Sequence, residues 1–355
     1  MRDIRAALRR WVDDYNDTGK VYAATLISLE SSAVRGVGAT MALSPSGLIA
    51  GSVSGGCIEP ALIRDMERLR AAGAAERRSF CPGDDSVFGA PSPCGGALEV
   101  LMYPLDAEVL SAIERAQEAG GAAHWALVAG DSHEGEKGSD VGVSCALDES
   151  GKLVTSPRPD GSSAGRDLIR LFGDVLTGAE VHEAAGGIVE KGGWSLYIER
   201  AQPPFRFFIV GGSQIGEALC AVAALLGWKP FLIDPREAFS QKWRFASASL
   251  ILHEWPAKAF ETLALGPEDG VAAITHNEAM DDEAVAEALR RQCRYVGVLG
   301  GGHTQKERRR RLRERGFREE ALAKIHGPIG LSIAAKSPEE IALSIAAEAV
   351  QEYRR

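Results

Sequence analysis

The sequence has no long uninterrupted apolar run, no closely spaced cysteine pair and no excess of positive charge. A bilayer-spanning helix needs about 20 consecutive apolar residues, so the first lack excludes a membrane span. The six cysteines are scattered over 355 residues, which is not a disulfide framework, and a reducing cytoplasm is the expected setting. A net charge of -9 and a pI near 5.4 argue against a dedicated nucleic-acid binder. The amphipathic stretch Met1–Trp11 lacks the apolar core and small-residue cleavage site of a signal peptide. His124, His133 and His182 share no metal-ligand spacing and read as packing or surface residues.

What is present is an ordinary globular composition, 45% hydrophobic and 25% charged, over a length that suggests two domains. Gln202-Pro203-Pro204 marks the boundary, because consecutive prolines continue neither a ladder nor a helix. The expected fold is α/β, with an N-terminal α/β lobe over 1–200 and a C-terminal Rossmann-like parallel-sheet domain over 205–355.

The N-terminal lobe centres on Ser52-Val53-Ser54-Gly55-Gly56-Cys57-Ile58-Glu59, a glycine-rich loop between a short strand and a helix opened by Pro60. Unpaired N–H groups and the positive helix end favour an anion there and lower a thiol pKa. Gly55 and Gly56, with no Cβ, allow a ligand to reach the backbone. Pro93-Cys94-Gly95-Gly96 repeats the chemistry before an alternating strand. Both cysteines also read as small packing residues beside tight turns; two such loops together favour a site. Arg35, in the small-residue loop 30–39, is either a solvated charge or an anion clamp.

Beyond the boundary, strands alternate with helices. The strand Phe205–Val210 runs into Gly211-Gly212-Ser213-Gln214-Ile215-Gly216, a helix and the strand Lys229–Ile233, with Asp234 about 20 residues after the glycines. This is the order of a dinucleotide-binding βαβ unit, although Ser213 stands where the middle glycine admits pyrophosphate. Thr275-His276-Asn277 falls at a strand's carboxyl end, where open α/β sheets hold ligands. Gly300-Gly301-Gly302-His303 is a further phosphate-sized turn, and its helix carries Lys306, Arg308, Arg309, Arg310, Arg311, Arg313 and Arg315, expected as a solvated face or, in part, as a contact for phosphate or an acidic partner. Ile325-His326-Gly327-Pro328-Ile329-Gly330-Leu331 reads as a constrained loop.

Four segments, the Ser-Gly-Gly-Cys-Ile-Glu loop, Pro93–Gly96, Val210–Asp234 and Thr275–Glu348, together resemble the xanthine dehydrogenase accessory family of XdhC/CoxI type. These are maturation factors of bacterial molybdenum hydroxylases. Two turns depart from the family's pattern: Gly211-Gly212-Ser213-Gln214 replaces Gly-Ala-Gly-His, and Gly300-Gly301-Gly302-His303 replaces Gly-Ser with basic residues. The resemblance implies a non-catalytic carrier of molybdenum cofactor, as molybdopterin or its dinucleotide form. Such a carrier shelters the cofactor during sulfuration by a cysteine desulfurase or sulfurase, delivers it to an apo molybdenum hydroxylase and works as a homodimer. On this reading the cofactor meets Arg35, Gly55, Gly56, Cys57, Glu59, Cys94, Gly211, Gly212, Ser213, Gly216, Asp234, His276, Gly300 and His326. Cys57 is the soft ligand for molybdenum, and Glu59 either orients the pterin or pairs with the helix dipole. The alternatives are an NAD(P)-dependent oxidoreductase using His276 as acid or base, and a cysteine hydrolase or sulfur transferase pairing Cys57 with His276 or His326.

Overall fold

The computed structural model describes residues 2–11, 20–30, 35–81, 96–131, 140–150, 152–155, 170–175 and 186–354. Cys94, Gly95, His133 and His182 lie outside these residues. The chain divides into two compact units, Met1–Pro203 and Pro204–Arg355.

The first unit contains α1 (Arg2–Arg10), β1 (Tyr22–Leu29), β2 (Thr40–Leu43), β3 (Ile49–Gly51), α2 (Glu59–Ala72), β4 (Glu76–Phe80) and β5 (Leu98–Pro104). It continues with α3 (Ala107–Glu118), β6 (Ala123–Asp131), β7 (Ser144–Asp148), β8 (Gly187–Lys191) and β9 (Trp194–Ala201). Two antiparallel sheets form, ordered β3-β2-β1-β5-β4 and β7-β6-β9-β8. Because side chains alternate across a strand, β1 and β5 serve two cores. Tyr22, Ala24, Leu26, Val100 and Met102 pack under Leu62, Met66 and Leu69 of α2. Ala23, Ile27, Leu101 and Tyr103 meet Trp125, Leu127 and Tyr197 of the second sheet and Val109 and Ile113 of α3. A strand buried on both faces has no polar side to show, which is why β1 reads as a continuous apolar run.

The helices are punctuated as their sequences suggest. Asp106 caps α3 by accepting from the amides of Glu108 at 2.8 Å and Val109 at 3.3 Å. Gly73 closes α2 in the left-handed region at φ 65°, where a Cβ is unfavourable.

The second unit runs β10 (Arg206–Val210), α4 (Gln214–Leu225), β11 (Lys229–Ile233), β12 (Leu250–Leu252), α5 (Pro256–Thr262), β13 (Gly270–Ala273) and α6 (Glu278–Arg290). It ends with β14 (Tyr295–Val298), α7 (Gly302–Glu314), α8 (Glu319–Leu322), β15 (Ile325–His326) and α9 (Pro338–Tyr353). All six strands are parallel, in the order β12-β11-β10-β13-β14-β15. Phe208 and Val210 face the core built on α5, α6 and α7, and Phe207 and Ile209 face the core of α4 and α9. This is the doubly wound, Rossmann-like arrangement. Order reverses between β10 and β13, and the ligand crevice of such sheets opens at the carboxyl ends of those strands. A capping box between Ser337 and Glu340, with Pro338 in the first turn, starts α9.

Candidate functional site

In the first unit the glycine loop enters α2 as expected, but its hydrogen-bond donors are directed inward. Glu59 Oε1 accepts from Ser52 Oγ at 2.6 Å and from the amides of Val53, Ser54 and Gly55 at 3.0, 2.8 and 3.1 Å. Its Oε2 accepts from Ser54 Oγ at 2.6 Å and the Gly56 amide at 2.9 Å. Six donors therefore converge on one carboxylate of the same chain. Ser54 Oγ in turn accepts from the amides of Cys57 and Ile58, each at 3.1 Å. Burial pushes the Glu59 carboxyl up, but the hydroxyls of Ser52 and Ser54 and the loop amides outweigh it and bring the pKa down to about 2.

Gly55 at φ 90° and Gly56 at φ 120° supply the left-handed turns that aim these amides at Glu59. A Cβ on Gly56 would meet no atom within 4 Å, so the outer side of the loop is open. Cys57 is half-buried and packs against the core beneath α2. Arg35 is exposed, in the loop preceding β2. Among the described residues, no three or more His, Cys, Asp or Glu side chains are grouped to hold a metal ion.

In the second unit, Gly211, Gly212, Ser213 and Gly216 form the turn between β10 and α4. A Cβ on Gly211 would lie 3.0 Å from the backbone of Ile274, one on Gly212 2.6 Å from Phe239 O, and one on Gly216 2.3 Å from Gly211 O. These contacts account for the glycines by close packing. Ser213 caps α4 by accepting from the Gly216 amide at 3.2 Å, so its departure from glycine has a local reason.

Asp234 is fully buried and both oxygens are engaged. Oδ1 accepts from the backbone amide and Nε of Arg236, each at 2.9 Å, and Oδ2 from Arg236 Nη2 at 2.8 Å and the Gly212 amide at 2.7 Å. Burial pushes this carboxyl up, yet the hydrogen bonds from Arg236 and Gly212 hold it below the usual carboxylate range. Sequence spacing picked out Asp234 but missed Arg236, two residues on; an Asp-Pro-Arg run directly after a strand was the available signal.

His276 is exposed at φ 59°, in a turn fixed by Thr275, whose amide and Oγ1 donate to Asp281 Oδ1 at 3.1 and 2.7 Å. Gly300, at φ 128°, precedes α7 and is held by Gln305, whose Nε2 donates to the carbonyls of Val298, Leu299 and Gly300. The basic helix α7 departs in part from the expected solvated face. Arg308 is buried, pairs with Asp282 at 2.9 Å and donates to Leu299 O at 3.0 Å, while Arg311 reaches the same aspartate at 2.5 Å. Arg309 donates to Leu322 O at 2.7 Å, and Arg310 and Arg313 pair with glutamates. Arg308, Arg309 and Arg311 thus brace the unit from within, while Lys306, Arg310, Arg313 and Arg315 are exposed. His326 stacks on Tyr295 at 5.0 Å and lies 3.4 Å from Glu348, which also accepts from Tyr295 and the Gly330 amide. It is therefore built into the packing between β15 and α9.

Known proteins share both units. Residues 207–349 match the XdhC Rossmann domain and residues 16–80 the XdhC and CoxI family. The chain belongs to the XdhC and CoxI family. It is 25% identical over 345 residues to a probable xanthine dehydrogenase subunit of Bacillus subtilis (strain 168), covering 96% of this chain and 95% of that one. It is 23% identical over 349 residues to the molybdenum cofactor insertion chaperone PaoD of Escherichia coli (strain K12), covering 98% of this chain and 87% of PaoD. A crystal structure described as a xanthine dehydrogenase from Bacillus halodurans aligns with a TM-score of 0.77 and 25% identity, over 99% of this chain and 95% of that one.

Proposed function

We propose that this chain is a carrier of molybdenum cofactor that shelters it during sulfuration and delivers it to an apo molybdenum hydroxylase of the xanthine or carbon monoxide dehydrogenase type. The observation that carries this reading is the near end-to-end likeness to an insertion chaperone, 98% of this chain against 87% of PaoD. The residues suit the cargo. Cys57 offers one soft thiol beside an open glycine surface, and the crevice at β10 and β13 suits the phosphate or nucleotide end of a pterin. Its partners on this reading are the apo-hydroxylase, a cysteine desulfurase or sulfurase and a second copy of the chain, in the cytoplasm.

The geometry weighs against an oxidoreductase that uses NAD. A ribose diol needs a carboxylate acceptor after the second strand, and both oxygens of Asp234 are already engaged. The test is the molybdenum and pterin content of the chain purified from a molybdenum-replete host. Pterin and molybdenum bound near one per chain support the carrier; a pterin-free protein that binds NADH instead would overturn it.

A further inference from the structure

Asp234 occupies the position at which a dinucleotide fold offers a carboxylate to a ribose, but the group it presents outward is a cation. Arg236 is locked on two sides. Asp234 holds its Nε at 2.9 Å and Nη2 at 2.8 Å, and its guanidinium lies 4.5 Å above the ring centroid of Phe239. Asp234 Oδ2 also takes the Gly212 amide at 2.7 Å, so the guanidinium and the glycine turn are fastened to one atom. Its Nη1 end is not directed at Asp234, and the side chain remains 44% exposed. A guanidinium fixed in this way has lost its rotamer freedom in advance, so little entropy opposes a charge-assisted bond to phosphate oxygens.

We propose that Arg236 is the specificity-determining residue of the Rossmann crevice, selecting a ligand that carries a phosphate group where a dinucleotide would present its ribose hydroxyls. This rests on the carrier reading and narrows it: the crevice recognises the phosphorylated end of the pterin. Asp234 is a positioning residue that turns an acidic sequence position into a cationic one.

The test uses the full chain and molybdopterin released anaerobically from a molybdenum enzyme, with or without phosphatase treatment. The wild type should bind the phosphorylated pterin at least tenfold more tightly than the dephosphorylated one. Arg236→Gln should bind both forms equally and weakly, and Arg236→Lys, which keeps charge but not the fork, should fall between. A thermal melt checks folding. If the wild type binds both forms alike, or folded Arg236→Gln keeps the full preference, the assignment of Arg236 is overturned while the carrier reading stands. If the wild type binds neither form, both fall.

Discussion

The loop before α2 and the turn before α4 are made from the same parts: at least one glycine in the left-handed region, a helix start and a buried or half-buried carboxylate. They use the carboxylate in opposite ways. Glu59 turns back on its own loop and consumes the donors that an external anion would need. Asp234 consumes one glycine amide and otherwise fixes Arg236, leaving a half-exposed cation at the carboxyl end of β11. A glycine-rich loop leading into a helix is thus an anion site only when no local acid has claimed its amides. The comparison also separates two meanings of an acidic residue near such a turn: internal ligand and external tool.

The bracing beneath the second unit is the most sensitive element. Asp282→Ala leaves Arg308, 1% exposed, without its closest ion-pair partner, and unpaired buried charges cost about 3–5 kcal/mol. Chemical denaturation should show a loss of that size, and a change below about 1 kcal/mol would mean that Asp281, Leu299 O and Gln305 suffice. Next comes Glu59→Ala, which strips six donors of their acceptor. Because several of these can turn to water, we expect a loss of about 2–3 kcal/mol, read from thermal and denaturant melts.

Glu59 also predicts a pH arm. Its pKa falls from 4.5 to about 2 on folding, so its stabilisation is complete above the unfolded value and disappears as pH drops from about 5 through about 2. With solvent screening allowed for, the amplitude is about 2 kcal/mol. Glu59→Gln should flatten that arm; an unchanged acid profile would show the carboxylate is not held as described.

Smaller effects probe the ligand itself. Cys57→Ser should fold normally yet retain at least about tenfold less molybdenum, equivalent to about 1.4 kcal/mol or more. Metal analysis beside a melt checks this, and undiminished molybdenum in the folded variant removes the thiol from the site. Smallest of all, Ser213→Gly restores the glycine of the dinucleotide pattern and removes a cap, costing a few tenths of a kcal/mol, on the order of 0.3. Pterin affinity should stay within about twofold; a large gain would mean that the serine blocks the crevice.

Central elements were more legible in the sequence than peripheral ones. Strands β1 and β10 are buried on both faces and announce themselves as apolar runs. Strand β4 exposes three of its five residues and β8 fully buries none, so Glu76-Arg77-Arg78-Ser79-Phe80 carries no strand pattern. Strand β15 has two residues and owes its pairing to Val296 and Gly297. At the site, Glu59 was visible as a helix-start acid. Its target was not, because only the left-handed backbone of Gly55 and Gly56 turns the amides toward it. Arg308 looked like surface charge because a run of arginines hides which one faces Asp281 and Asp282 on a different helix.

The internal carboxylate has a consequence for exchange. A loop shaped by its own Glu59 is ordered without any ligand, so a ligand docked against Cys57 as proposed would require little further loss of chain freedom. Nor does departure of the ligand leave the amides unsatisfied, since their acceptor never leaves. On the carrier reading proposed above, loading and hand-over would proceed on a standing surface, with the residence time of the cargo set by its own contacts and uncoupled from the folding of the loop.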